Sequence, residues 1–270
     1  MSTDHPPRFQ PVSPERHAAQ SWRPSNSYAW AAGEVVLPLA GSELARAALA
    51  MPLAFIRQHD TFIPVAVLGL EPGVSLFVAA DGRWTGGYVP AALRTRPFAL
   101  VALEDGRKIL CIDEEAGQVA QRQESPDAQP FFGQEGKLAS RVQEVMRFLS
   151  AIEENRELTR KACTALETHK ILAPWEITLQ MEAGPRKVEG LYRVDEAALG
   201  QLPDEAFLEL RRAGALAVAY PQLMSMAQLS ALGQRASARL AALKPPATPV
   251  TAAGDLDLSF LERGGTLRFS

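Results

Sequence analysis

Two arginines spaced two residues apart, Arg94 and Arg96, stand in a stretch that also holds Trp84, Tyr88 and Phe98. A guanidinium pairs side by side with a carboxylate or phosphate, and an aromatic ring offers a flat apolar face. In an extended strand, residues two apart share a face, and Pro97 biases Arg96 toward that form. Trp84, Tyr88, Arg94 and Arg96 are therefore the candidate ligand-binding residues, suited to a carboxylate, a phosphate or a sugar. The structural alternative is that both arginines pair with acidic side chains while the aromatics pack a sheet.

Other residue patterns carry less chemistry. The chain has no P-loop, dinucleotide fingerprint, HExxH or GxSxG. Gly86-Gly87 lacks the offsets and following helix of a phosphate cradle. Two of the four histidines, His5 and His17, fall in a proline-rich N-terminal stretch, and His59 adjoins Asp60 in a turn. That distribution gives no metal site, and no cofactor is expected. Asp113, Glu114 and Glu115 are consecutive at the end of a strand-like run. Paired carboxylates divide acid and base roles only when their environments differ, so these read as a solvated loop, and Glu153-Glu154 as a solvated helix face. No catalytic residue is assigned. Cys111 and Cys163 read as buried, inert thiols, because Cys packs as a small hydrophobe.

Composition sets outer bounds. The 270 residues are 47% hydrophobic and 22% charged, with a net charge of -3. Such a chain can bury a sizeable core, and its charge argues against broad attraction to nucleic acid or anionic membrane. No apolar run approaches the roughly 20 residues that span a bilayer, and no signal-peptide core opens the sequence. The cytoplasm is the expected compartment, with signal-independent export to the cell surface as the alternative.

The elements around the arginines follow from periodicity. Residues 1–33, with prolines at 6, 7, 11, 14 and 24, read as a mobile arm whose Trp22, Tyr28 and Trp30 dock on the body or meet a partner. A body follows over residues 34–243. Strands are expected at Glu34–Ala40, Leu53–Arg57, Phe62–Leu70 and Ser75–Ala79, with Asp81-Gly82 as a turn. Ser42 is placed as the cap of a short helix. Phe98–Leu103 and Lys108–Ile112 form a hairpin around Glu104-Asp105-Gly106, and residues 113–129 form a loop.

The period then changes to helical. Leu138, Val142, Val145, Leu149 and Ile152 make one apolar face of a helix running to His169, with Cys163 and Leu166 on that face. A second hairpin is expected, with Ile177–Met181 paired to Lys187–Val194 across Gly184-Pro185. Asp204 is placed as the cap of a helix that Gly214 stops. Pro221 interrupts an apolar run at Ala215–Tyr220, and Ser225 with Gln228 fits a capping box before a last helix. Residues 244–254 read as a linker and 255–270 as a tail. The fold class is α+β, with a β-rich N-terminal half of antiparallel hairpins packed with helices and a further hairpin from the C-terminal half.

Three stretches carry a family resemblance. They are residues 52–100, beginning PLAFIRQHDTFIPVAVLGLEPG; residues 130–149, PFFGQEGKLASRVQEVMRFL; and residues 190–226, beginning GLYRVDEAALGQLPDEAF. In this order they resemble the SapC family of bacterial proteins, associated by name with surface layers. The resemblance implies a non-enzymatic binding or assembly role at the surface layer or envelope, with an envelope protein, peptide or glycan as partner. An enzyme or accessory factor acting on an envelope peptide or glycan, and a cytoplasmic ligand sensor, are the alternatives. A permease sharing the name is excluded by the missing membrane spans.

Overall fold

The computed structural model describes residues 9–116, 118–121, 127–181 and 184–243. In chain order its elements begin β1 (Phe9–Pro11), α1 (Pro14–His17), β2 (Gln20–Trp22), β3 (Val36–Pro38), α2 (Gly41–Ala47), β4 (Leu53–Gln58), β5 (Thr61–Val67) and α3 (Ala91–Arg94). The hairpin β6 (Phe98–Ala102) and β7 (Lys108–Asp113) follows, then β8 (Val119–Gln121), β9 (Gln129–Pro130) and the long helix α4 (Ser140–Thr168). The C-terminal part holds β10 (Leu172–Pro174), β11 (Ile177–Met181), β12 (Gly184–Val188), β13 (Tyr192–Val194), α5 (Glu196–Gly200), α6 (Asp204–Arg212), α7 (Leu216–Ser225) and α8 (Gln228–Leu243). The class is α+β, and the strand pairs described are antiparallel.

A five-stranded sheet, in the order β10-β13-β4-β5-β3, forms the centre. Its β4–β5 hairpin closes from Gln58 to Thr61, and His59 takes φ 54 in the turn. That left-handed region is one in which His is enriched. Inner residues Phe55, Val65 and Val67 are fully buried against Leu44 and Ala47 of α2, Cys163 and Leu166 of α4, and Val218 of α7.

A second apolar cluster sits apart from the first. It joins Trp22, Phe98, Leu110, Ile112, Phe131 and Phe132 to Val142 and Leu149 of α4. The apolar stripe of α4 thus serves both clusters, Val142 and Leu149 at one end and Cys163 and Leu166 at the other. Ile152 lies between them, packed with Ala40 and Ala91, and Phe148 leans on that junction.

Several sequence expectations need correction. Residues 9–33 are not a separate arm. β1 pairs with β7, β2 lies between β8 and β9, and His17 and Trp22 are buried. The prolines there interrupt strands without preventing short ones. The expected loop at 113–129 is likewise partly ordered, because β8 completes the sheet around β2. Asp113 is buried, so the acidic triplet is not uniformly solvated. Residues 1–8, the expected linker at 244–254 and the tail at 255–270 lie outside the described residues.

Caps and breaks differ too. Ser42 lies inside α2, and the Glu43 carboxylate instead accepts the Ala40 N–H. Asp204 is the first residue of α6, and Pro203 occupies the cap position. Gly184 and Pro185 belong to β12, which pairs with β11, whereas Tyr192–Val194 joins the central sheet. Ser75–Ala79 makes only an isolated bridge, Val78 to Trp84. α7 runs through Pro221. Its Gln222 accepts the Val194 N–H and donates to Leu53 O, and its Ser225 Oγ accepts the Leu53 N–H. These ties to the sheet hold a helix that local propensity alone would break. They also take Ser225 away from the expected capping box. The final helix buries Leu232 but leaves Leu240 half exposed.

Candidate functional site

The segment from Trp84 to Phe98 is organised by a residue that local patterning did not single out, Glu43. Its side chain is buried. One carboxylate oxygen accepts the Ala40 N–H at 3.0 Å. The other accepts the Ala91 N–H at 2.6 Å and the Tyr88 hydroxyl at 2.9 Å. A carboxylate at a helix start satisfies orphan backbone donors, and here one carboxylate serves the starts of both α2 and α3. Burial and the neighbouring Glu43 charge push the Tyr88 phenol up to about 12.

That anchor decides where the arginines go. Ala91 to Arg94 coils into α3, so Arg94 and Arg96 do not share a strand face. This corrects the extended geometry expected for them. Ala91, Ala92 and Leu93 are good helix formers, and Pro90 precedes them with its donorless nitrogen. Arg96 turns to Asp113 and pairs with it at 2.8 Å, with Asp113 buried and Arg96 a quarter exposed. Its guanidinium also lies 4.2 Å from the centre of the Trp30 ring. Arg96 is a structural tie between the α3–β6 connection and β7.

Arg94 behaves differently. Its guanidinium sits 5.0 Å from the Phe148 ring centre and 5.8 Å from that of Tyr88, and donates to the Tyr88 hydroxyl at 3.3 Å. No carboxylate lies within ion-pair distance of it among the described residues. Cation–aromatic contacts hold the group in place without neutralising its charge.

Trp84 belongs to the packing of the central core. Its ring stacks on Phe77 at 5.4 Å and meets Tyr28 at 6.0 Å, and its indole N–H donates to Tyr88 O at 2.8 Å. Gly86 makes that stack possible, since a Cβ there would lie 2.7 Å from Trp84 Nε1 and 2.9 Å from the Phe77 ring. Of the four predicted residues, Arg94 and Arg96 line a common groove of about 360 Å³. Tyr88 positions Arg94, and Trp84 faces elsewhere.

The groove runs between the 22–28 segment, the α3–β6 connection and α4. Trp22, Tyr28, Phe98 and Phe148 give it aromatic walls, and Ser25 and Thr95 give it hydroxyls. Arg141 also lines it, but pairs with Glu144 at 2.7 Å. Trp22 and Tyr28 were expected only to dock or meet a partner, and α4 contributes Phe148, Arg141 and Glu144 from more than forty residues away in sequence. Their only advance signal was aromatic density in an otherwise polar, proline-rich stretch.

The remaining chemistry is local. Burial pushes the Cys163 thiol up to about 12 and raises that of Cys111. No cluster of three or more potential metal-ligating side chains occurs among the described residues, and none of the described helices is long and apolar enough to cross a membrane.

No curated protein matches the chain, and no solved structure does. A family model described as SapC matches residues 12–232, which takes in the central sheet, the groove and α4 together. The chain belongs to the SapC family.

Proposed function

We propose that this SapC-family chain is a non-enzymatic binding or assembly protein of the bacterial surface layer or envelope, and that the groove beside Arg94 grips an acidic group of its peptide or glycan ligand. The observation that carries the proposal is Arg94 itself. It is a guanidinium held beside two aromatic rings, lining a groove, with no carboxylate partner among the described residues. An arginine fork pre-positioned in this way recognises an anion at little ordering cost. The surface-layer association comes from what the family resemblance implies. What the groove offers is hydrogen-bond donors and ring faces, which hold a ligand; its carboxylate, Glu144, is engaged by Arg141 at 2.7 Å.

The test uses envelope fragments isolated from the bacterium that carries the protein. Purified protein should sediment with them, and Arg94→Gln should reduce the bound fraction at least tenfold while keeping the wild-type melting temperature. Cell fractionation should find the native protein with the envelope. Failure of the wild-type protein to sediment, or its confinement to the cytosolic fraction, would overturn the reading. Loss of binding in Arg96→Gln only, with Arg94→Gln unaffected, would overturn the assignment of the groove.

A further inference from the structure

The charge and chemistry of the same groove narrow its ligand, and this inference rests on the anion-binding reading above. Three guanidiniums line the groove, from Arg94, Arg96 and Arg141. Two are neutralised where they stand, Arg96 by Asp113 at 2.8 Å and Arg141 by Glu144 at 2.7 Å. Arg94 alone of the three has no carboxylate at ion-pair distance among the described residues; the buried Glu43 reaches it only through the shared Tyr88 hydroxyl. A phosphate monoester would bring nearly two negative charges against one guanidinium. A carboxylate brings one, and its two oxygens match the guanidinium fork.

The other walls specify what carries the carboxylate. Tyr28 and Phe148, both partly exposed, present ring surface against which the C–H face of a saturated ring can lie, over the buried Trp22 and Phe98. Ser25 and Thr95 bring hydroxyls to the same space. Among the lining side chains, the Trp22 indole N–H is buried without a hydrogen-bond partner, and a buried donor left unpaired is uncommon in a folded protein. A small aliphatic acid would leave the rings uncovered. The Ser25 and Thr95 hydroxyls already donate to Ser27 O and Ala92 O, so an aromatic acid would cover the rings and leave the indole N–H without an acceptor. A ring that bears both hydroxyls and one carboxylate uses all three features. The groove, at about 360 Å³, lies at the small end of the roughly 300–1,000 Å³ typical of small-molecule sites. That suits one sugar unit rather than a length of glycan.

We infer that the groove binds a monocarboxylated sugar ring, free or at the end of a glycan chain, with Arg94 on the carboxylate and Trp22 donating to a ring oxygen or hydroxyl. The test is a nitrogen–proton correlation spectrum of the full chain, with the Trp22 indole peak assigned through bonds. Sodium glucuronate, a glucuronate-capped disaccharide, glucose, sodium benzoate, sodium acetate and glucose 6-phosphate are titrated separately. Glucuronate should move the Trp22 peak saturably, with glucose, benzoate, acetate and glucose 6-phosphate at least tenfold weaker. Tighter binding of the disaccharide would support the end of a chain as the source, and equal binding the free sugar. Arg94→Gln should abolish the shift in a folded spectrum, and Arg94→Lys should restore part of it. Acetate, benzoate or glucose 6-phosphate matching glucuronate would overturn the sugar-acid assignment and leave the anion groove standing. Silence from every probe in the wild-type protein would overturn both.

Discussion

Replacing Glu43 tests the anchor on which the position of Arg94 depends. In Glu43→Ala, three donors lose their acceptor: the Ala40 N–H, the Ala91 N–H and the Tyr88 hydroxyl. Ala40 and Ala91 are 0% exposed, so water cannot replace the lost partner at either backbone donor. A buried donor left unpaired costs about 1–3 kcal/mol, so these two alone cost about 2–6 kcal/mol. Tyr88 is half exposed and still contacts Arg94, so its hydroxyl adds little. Glu43→Gln can keep its carbonyl oxygen toward Tyr88 and Ala91 while turning its amide to the Ala40 N–H. One donor is then lost, at about 1–3 kcal/mol. Urea unfolding followed by circular dichroism and tryptophan fluorescence measures both variants, with the slope checked for constancy. Domains of ordinary stability have about 5–15 kcal/mol to lose, so the alanine variant should unfold at much lower urea than the glutamine variant. Unchanged midpoints would refute the reasoning outright. A glutamine variant as unstable as the alanine one would show that the carboxylate's charge, rather than its acceptor geometry, holds the two helix starts.

Other consequences can be measured directly. An ultraviolet pH titration should show one tyrosine ionising near 12 and lost in Tyr88→Phe. Because the folded value is raised, the phenol's contribution to stability is present below pH 10 and disappears as the pH rises from about 10 to about 12. Leu149→Ala should cost about 2–5 kcal/mol in urea unfolding, since Leu149 is buried in the second apolar cluster; a wild-type midpoint would mean that this end of α4 is loosely packed. A thiol reagent at pH 8 should leave both cysteines unmodified in the native protein, because both are buried and burial raises both thiols. Rapid labelling of either without unfolding would contradict that packing.

Much of the fold was legible because its signals are local. Alternation and turn residues placed the β4–β5 and β6–β7 hairpins, whose registers run Leu53↔Ala66 to Gln58↔Thr61 and Phe98↔Ile112 to Ala102↔Lys108. A helical period predicted α4, and Val142, Leu149, Ile152, Cys163 and Leu166 are buried along it. Acidic residues at the start, arginines at the end and Gly214 at φ 72 marked α6. Three stretches of sequence also carried the family, which the match over residues 12–232 shows. What the sequence left open depended on partners distant along the chain. Glu43 and Ala91 are separated by 48 residues, yet their hydrogen bond helps set α3 where an extended strand was expected. Asp113 claims Arg96, while Phe148 and Tyr88 hold Arg94, so two arginines of one type and near-identical local context take different roles. Trp22 and Tyr28 reach the groove because β2 is held between β8 and β9, against the local bias of the flanking prolines. Period and propensity act over a few residues, whereas burial of a charge or an orphan donor is settled by whichever partner the folded chain brings beside it.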